Sequence, residues 1–253
     1  MIETERLRMR SWRDDDVADT GPELDRLLAR GGISSVIINN PHNPSGKMMD
    51  QSDYDALVQV MIDHPNLMLC SDEVYEFITF EKPHFSAHHH EILQSRSIIV
   101  SSFGKTFHLT GWKVGYLVAP ANLMKEIKKV HQYLVFSVNS VAQKTLADYI
   151  SQTDVTTLGK FYQDKRDRFK ELMANSKFEF LPSEGTYFQT VRYKTISDIP
   201  DVPFCEWMVK EVGVAAIPLS VFYEDQTDYH TIRFCFAKTD ETLIQAAERL
   251  CKI

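Results

Sequence analysis

The stretch Ser-Ser-Phe-Gly-Lys-Thr-Phe-His-Leu-Thr-Gly-Trp-Lys-Val-Gly-Tyr, residues 101–116, lies between two short apolar runs, Ser97 to Ser101 and Val114 to Val118. Both runs have the length and the branched-aliphatic make-up of buried strands, and neither alternates as a half-solvated strand would. Between them the chain must turn, and the turn carries Lys105 beside Gly104. Polar residues just past the end of a buried strand are where α/β proteins usually place ligands.

Two more strand-and-loop units lie upstream. Leu67 to Cys70 is a compact apolar run that opens into Ser71-Asp72-Glu73-Val74-Tyr75. Val36-Ile37-Ile38 runs into Asn40-Pro41-His42-Asn43-Pro44-Ser45-Gly46. Between them, Asp50 to Asp63 sets Tyr54, Leu57, Val58, Met61 and Ile62 at helical spacing, with Asp50 as the cap and Asp53 in the first turn. His64-Pro65-Asn66 ends that helix. Strands alternating with helices predict an α/β sheet.

Downstream the pattern changes. After Ala121, Leu123, Ile127 and Val130 share a helical face, and further helices are expected over 141–150 and 156–174. The last third predicts strands over 187–193, 214–217 and 231–236, with helices over 204–212 and 242–251. At the amino terminus, MIETERLRMRSW reads as a strand, Asp14 to Asp16 as a helix start, and Pro22 to Ala29 as a helix stopped by Gly31-Gly32. The expected division is an atypical segment 1–32, a large domain over 33–150, and a connecting helix with a small domain over 151–253.

Composition narrows the class. The chain has 253 residues, 43% hydrophobic, with a formal net charge of -7, which argues against a nucleic-acid binder. No apolar run reaches the roughly 18–20 residues that span a bilayer, and no secretory leader is read. Four scattered cysteines form no C-x-x-C pair. Cys70 and Cys235 sit in apolar runs, and this usage suits a reducing cytoplasm. The contiguous His88-His89-His90 reads as surface loop rather than a metal site, and no metal ligand set is expected. There is no P-loop, G-x-G-x-x-G or Ser-His-Asp pattern.

The order NPHNPSG, SDEVYE, SSFGKTFHLTGWKVGY resembles the signature series of class I/II pyridoxal-phosphate-dependent aminotransferases, nearest the methionine and kynurenine aminotransferase branch. The likeness continues through KKVHQYLVFSVN, LPSEGTYF, GVAAIPLSVFY and TIRFCFAK. It implies a fold type I PLP transferase with a mixed sheet in the large domain and a small carboxyl-terminal α/β domain. By the same resemblance Lys105 is the catalytic lysine that carries pyridoxal 5'-phosphate, and Asp72 faces its ring nitrogen. Asn43 and Tyr75 serve the ring hydroxyl, Ser102 and Lys113 the phosphate, and Arg233, with Asn43, the substrate's α-carboxylate. Gly104 stands where some relatives carry another hydroxyl. His42, His108 and the loop Glu184-Gly185-Thr186 fall near the substrate.

The implied reaction moves an amino group between an amino acid, methionine or a large apolar or aromatic one, and a 2-oxo acid. Complete relatives carry more chain before NPHNPSG and are homodimeric, so the resemblance implies an amino-terminally truncated large domain with apolar faces left uncovered. Residues 1–20 resemble instead the opening of a GNAT-type N-acetyltransferase. Two rival readings are a fragment that binds PLP weakly or not at all, and a PLP-dependent carbon-sulfur β-lyase.

Overall fold

The computed structural model describes residues 20–29 and 31–253. The expected strand in MIETERLRMRSW, the helix start at Asp14 to Asp16 and the acetyltransferase-like opening lie outside the described residues. The chain divides into two compact units, the first holding residues 20–41 and 48–158 and the second holding 42–47 and 159–253.

In the first unit, helix α1 (Thr20–Leu28) leads to strand β1 (Ser35–Asn39), helix α2 (Gln51–Asp63) and strand β2 (Met68–Asp72). Gly31 and Gly32 both take positive φ, where an L side chain would be strained, so the helix stops before them. Asp50 caps α2 as expected: its carboxylate accepts from the Ser52 and Asp53 amides, and Asp53 answers to the Asp50 amide in a capping box. Next come α3 (Glu91–Arg96), β3 (Ser97–Ser102), the one-turn α4 (Phe103–Thr106), β4 (Gly115–Val118), α5 (Ala121–Leu134) and α6 (Ser140–Ile150). The strands lie in the order β1-β2-β3-β4, the first three parallel and β4 antiparallel to β3, which is the expected mixed sheet.

Tyr54, Leu57, Val60 and Met61 of α2 bury one face against Leu67, Leu69 and Ile99 of the sheet. A smaller cluster joins Phe107 and Val114 to Ala142 and Leu146 of α6. Helix α5 forms where its apolar spacing predicts, yet none of its residues is buried, and Val130 is 57% exposed. Tyr133 and Leu134 at its end, and Phe136 and Val141 beyond it, are also exposed.

In the second unit, helix α7 (its span, Leu158–Leu172, begins one residue inside the first unit) precedes β5 (Glu179–Phe180), β6 (Phe188–Arg192) and α8 (Asp201–Trp207). A π-helical turn over Met208–Val212, β7 (Ile217–Pro218), β8 (Thr231–Cys235) and α9 (Asp240–Leu250) complete it. The sheet order is β5-β6-β8-β7, antiparallel throughout. Its core is aromatic: Phe178 meets Phe234 edge-on at 5.6 Å, and Tyr193 stacks on Phe204 at 3.9 Å.

Several local expectations need correction. The strand expected over 214–217 pairs only at Ile217 and Pro218, because 213–216 makes no ladder with β8. Helix α8 starts at Asp201 rather than Phe204: the Asp201 carboxylate receives the Ser220 amide and hydroxyl, both at 2.7 Å, and Pro203 is tolerated in a first turn. The histidine run is not plain loop, since Ala87–His89 form a 3-10 turn and His90 caps α3. Cys205 is the buried cysteine, its thiol pushed up to about 12 by burial, while Cys70 and Cys235 are half-buried. No described helix is long and apolar enough to cross a membrane.

Candidate active site

Because β1, β2 and β3 are parallel, their carboxyl ends open on one edge of the first unit's sheet, with Asn39 level with Asp72 and Asp72 level with Val100. Asp72 ends β2. Side chains alternate along a strand, so Leu69, Ser71 and Glu73 turn into the core while Cys70 and Asp72 face the other side. Burial pushes the Asp72 carboxyl above the usual carboxylate range. The Val74 amide, 3.2 Å from its Oδ1, opposes this, Glu73 adds to it, and the positive charge of Lys105 again opposes it.

Lys105 stands three residues past the end of β3, on α4. That turn is set by Ser102, whose Oγ accepts the Gly104 amide at 3.1 Å. The Lys105 ammonium sits over the ring of buried Tyr75, 5.6 Å from its centre. A Cβ on Gly104 would come within 3.0 Å of Thr110 Cα and 3.2 Å of Ser102 Oγ, so a larger residue would press on the turn. Lys113 is exposed and left-handed at φ 55, immediately before buried Val114, and His108 is exposed at φ 59. Asp72, Tyr75, Ser102 and Lys105 thus share one edge of one sheet, with Lys113 at the far end of the same turn.

Glu73 has a pairing with no signature in the sequence. Its Oε2 faces Nε2 of His84 at 2.9 Å, and its Oε1 accepts from Ser71 Oγ at 2.8 Å and the Ala87 amide at 3.0 Å. Burial works to raise this carboxyl, but the hydrogen bond and charge of His84, aided by Ser86 and Ala87, outweigh it and hold it below its usual value. Both side chains are at least 93% buried, at 2% exposure for Glu73 and 7% for His84. The pair anchors the backbone next to Asp72. Across β3 and β4, Ser101 Oγ donates to Glu76 at 2.6 Å, and the Tyr116 hydroxyl donates to the same carboxylate.

In the second unit, Arg233 of β8 donates from Nη1 to Oδ1 of Asn43. Its guanidinium lies 3.9 Å above the centre of the Phe188 ring, with Phe222 at 5.7 Å. The loop bearing Asn43 is tightly held. His42 Nδ1 meets Ser45 Oγ at 2.7 Å, and the Gly46 amide donates to the His42 carbonyl at 2.8 Å. The Gly46 carbonyl accepts the amides of Glu184 and Gly185 at 2.8 and 2.9 Å, and Thr190 Oγ1 donates to the Ser45 carbonyl at 3.1 Å. Burial pushes the His42 imidazole down to about 4. Phe188 was not singled out by sequence, although the neighbouring Glu184-Gly185-Thr186 loop was.

Known proteins share this architecture. Residues 3–250 match the family Aminotransferase class I and II. A methionine aminotransferase from Escherichia coli is 51% identical over 218 residues, 85% of this chain and 56% of its own length. A kynurenine–oxoglutarate transaminase from Dictyostelium discoideum is 33% identical over 247 residues, again 86% of this chain and 56% of that protein. Among solved structures, one from Escherichia coli described as having a methionine aminotransferase function superposes with a TM-score of 0.88 at 48% identity, over 92% of this chain and 61% of that one. The N-succinyldiaminopimelate aminotransferase of Mycobacterium tuberculosis gives 0.85 at 31% identity, with the same coverage of 92% and 61%. The chain therefore spans little more than half the length of these relatives. With residues 3–250 matched by the family and relatives more than 30% identical over 85% or more of its length, this chain belongs to the class I and II aminotransferase family.

Proposed function

We propose that this chain transfers an amino group between an amino acid and a 2-oxo acid, with pyridoxal phosphate held covalently at Lys105. The carrying observation is the meeting of the Lys105 ammonium, the Tyr75 ring and the desolvated Asp72 carboxylate at the ends of adjacent parallel strands. An amine, a carboxylate, a phenol and the hydroxyl of Ser102 at one sheet edge are the donor set that a phosphorylated pyridine aldehyde needs. Bound there, pyridoxal phosphate supplies a carbonyl for the substrate's nitrogen and a ring that withdraws electrons from the substrate's α-carbon.

The chain's own groups do the rest. Lys105 would hold the cofactor, and its amine is the base placed to move a proton at the substrate's α-carbon. The Asp72 carboxyl, raised by burial and opposed by the charge of Lys105, would face the ring nitrogen and favour its protonated form. By the family resemblance Tyr75 and Asn43 would serve the ring hydroxyl, and Ser102 and Lys113 would hold the phosphate. Lysine meets that phosphate as a point charge, without the two-pronged grip of a guanidinium. Arg233, its Nη1 already on Asn43, fixes the substrate's carboxylate through the planar fork suited to it. The Escherichia coli relatives named for methionine favour methionine, or a large apolar or aromatic amino acid, as the donor.

The test is spectroscopic. After incubation with pyridoxal phosphate and gel filtration, the chain should retain a near-visible band, and borohydride reduction should fix the added mass on the Lys105 peptide. The Lys105→Ala protein should show neither. Turnover of methionine or phenylalanine with a 2-oxo acid, read from the keto product, would separate transfer from β-elimination. Folded, soluble protein that retains no band would overturn the proposal.

A further inference from the structure

The guanidinium of Arg233 rests on a platform that is itself fixed at both ends. Phe188 opens β6 opposite Cys235, two residues along β8 from Arg233. Its amide donates to Thr186 Oγ1 at 3.2 Å, and its carbonyl accepts from Ser183 Oγ at 3.0 Å. Thr186 is fully buried in the left-handed region at φ 67. That is an unfavourable place for a β-branched residue and marks a loop constrained by its surroundings. Tyr187 packs edge-on against Phe188 at 4.6 Å, and Tyr162 lies against Tyr187 at 5.6 Å. The Phe188 ring is 8% exposed, so it has little room to move away.

A separation of 3.9 Å between Arg233 Cζ and the ring centre is face contact, close to the sum of the two half-thicknesses. A guanidinium in contact with that ring face cannot move to that side. The hydrogen bond from Nη1 to Asn43 restrains it from a second direction. Asn43 is in turn held by the loop 42–47, whose Ser45 and Gly46 carbonyls are tied to Thr190, Glu184 and Gly185. The segment 183–190 therefore supports both the arginine and the amide beside it.

We infer that Phe188 is the positioning residue for carboxylate recognition: its ring presets the place of the Arg233 guanidinium before any substrate arrives. The inference rests on the reading of Arg233 as the carboxylate-binding group and deepens it. Preorganisation of this kind acts on the affinity for anything bearing the carboxylate and leaves the later proton transfers alone. Both the amino acid and the 2-oxo acid carry that group, so both should be affected alike.

The experiment uses the full chain as purified, without added cofactor, and phenylpropionate as the probe. Binding is followed by calorimetry, with phenylpropionamide as the uncharged control. Phe188→Leu should weaken phenylpropionate binding about tenfold, the loss expected when a desolvated cation–ring contact is removed. Phe188→Tyr, which keeps the ring face, should restore most of it, and amide binding should be the same in all three. In cofactor-loaded protein the same leucine variant should raise KM for both partners while kcat changes less than twofold. Equal phenylpropionate affinity in the parent and a folded Phe188→Leu protein would overturn the inference alone, provided Arg233→Lys abolishes binding. No binding to the parent, or binding that survives Arg233→Lys, would overturn the reading of Arg233 as well.

Discussion

The buried pair of Glu73 and His84 should carry a large share of the first unit's stability. Replacing His84 with leucine removes the partner at 2.9 Å from Oε2 and leaves a carboxylate that is only 2% exposed with its contacts to Ser71, Ser86 and Ala87. Leaving a buried carboxylate without its compensating partner costs about 3–5 kcal/mol, against a typical total of about 5–15 kcal/mol. With a urea m-value of roughly 2 kcal/mol per M, a loss of about 4 kcal/mol lowers the midpoint by about 2 M. The pH dependence gives the sharper check. In the parent the folded Glu73 pKa is held below its unfolded value, so its contribution is present above about pH 4.3 and fades as pH falls through the lower folded value. Without His84, desolvation drives the carboxyl the other way, and the penalty is relieved as the group protonates. The gap between parent and His84→Leu should therefore be widest near neutral pH and close on acidification. Replacing both Glu73 and His84 with leucine should recover most of the loss. A midpoint shift worth under about 1 kcal/mol near neutral pH, or a gap that widens in acid, would show that Glu73 is not held as a buried anion.

Two further outcomes can be checked by the same denaturation assay. Gly115→Ala would place a Cβ 2.5 Å from the Ser101 carbonyl oxygen, a backbone atom of the neighbouring strand, so β3 and β4 must separate at the Ser102–Gly115 pair; a loss of about 3 kcal/mol is expected. Tyr193→Phe keeps the stack on Phe204 but removes the hydroxyl that donates to the Ile199 carbonyl at 2.9 Å, and should cost about 1 kcal/mol.

Much of this architecture is local and could be read from periodicity. The α2 helix has its cap, its acidic first turn and its apolar face within fourteen residues, so Asp50 to Asp63 announces itself. Strands β2 and β3 are buried on one face and half-buried on the other, with no exposed position, and their uninterrupted apolar runs reflect that. Helix α3 was missed because six residues beside three histidines carry too few apolar positions for a period to register. Strand β5 is two residues long and exists only because Arg192 and Val191 lie opposite it. The spacing on α5 predicted a helix correctly and left its burial open: amphipathic spacing says which face is apolar, not whether anything covers it.

The sequence by itself determined the order of strand ends and the polar loops that follow them, and so where Asp72, Tyr75, Ser102, Lys105 and Lys113 would be displayed. Those residues follow short buried strands in one parallel set, and parallel pairing brings successive carboxyl ends to one edge without further information. Tertiary structure alone decided which side chains meet across long separations. His84 reaches Glu73 from eleven residues away, and Arg233 reaches Asn43 from 190 away, set on the face of Phe188. Such contacts depend on sheet order, register and the direction of each side chain, all settled by packing the core, and none leaves a periodic trace in the chain.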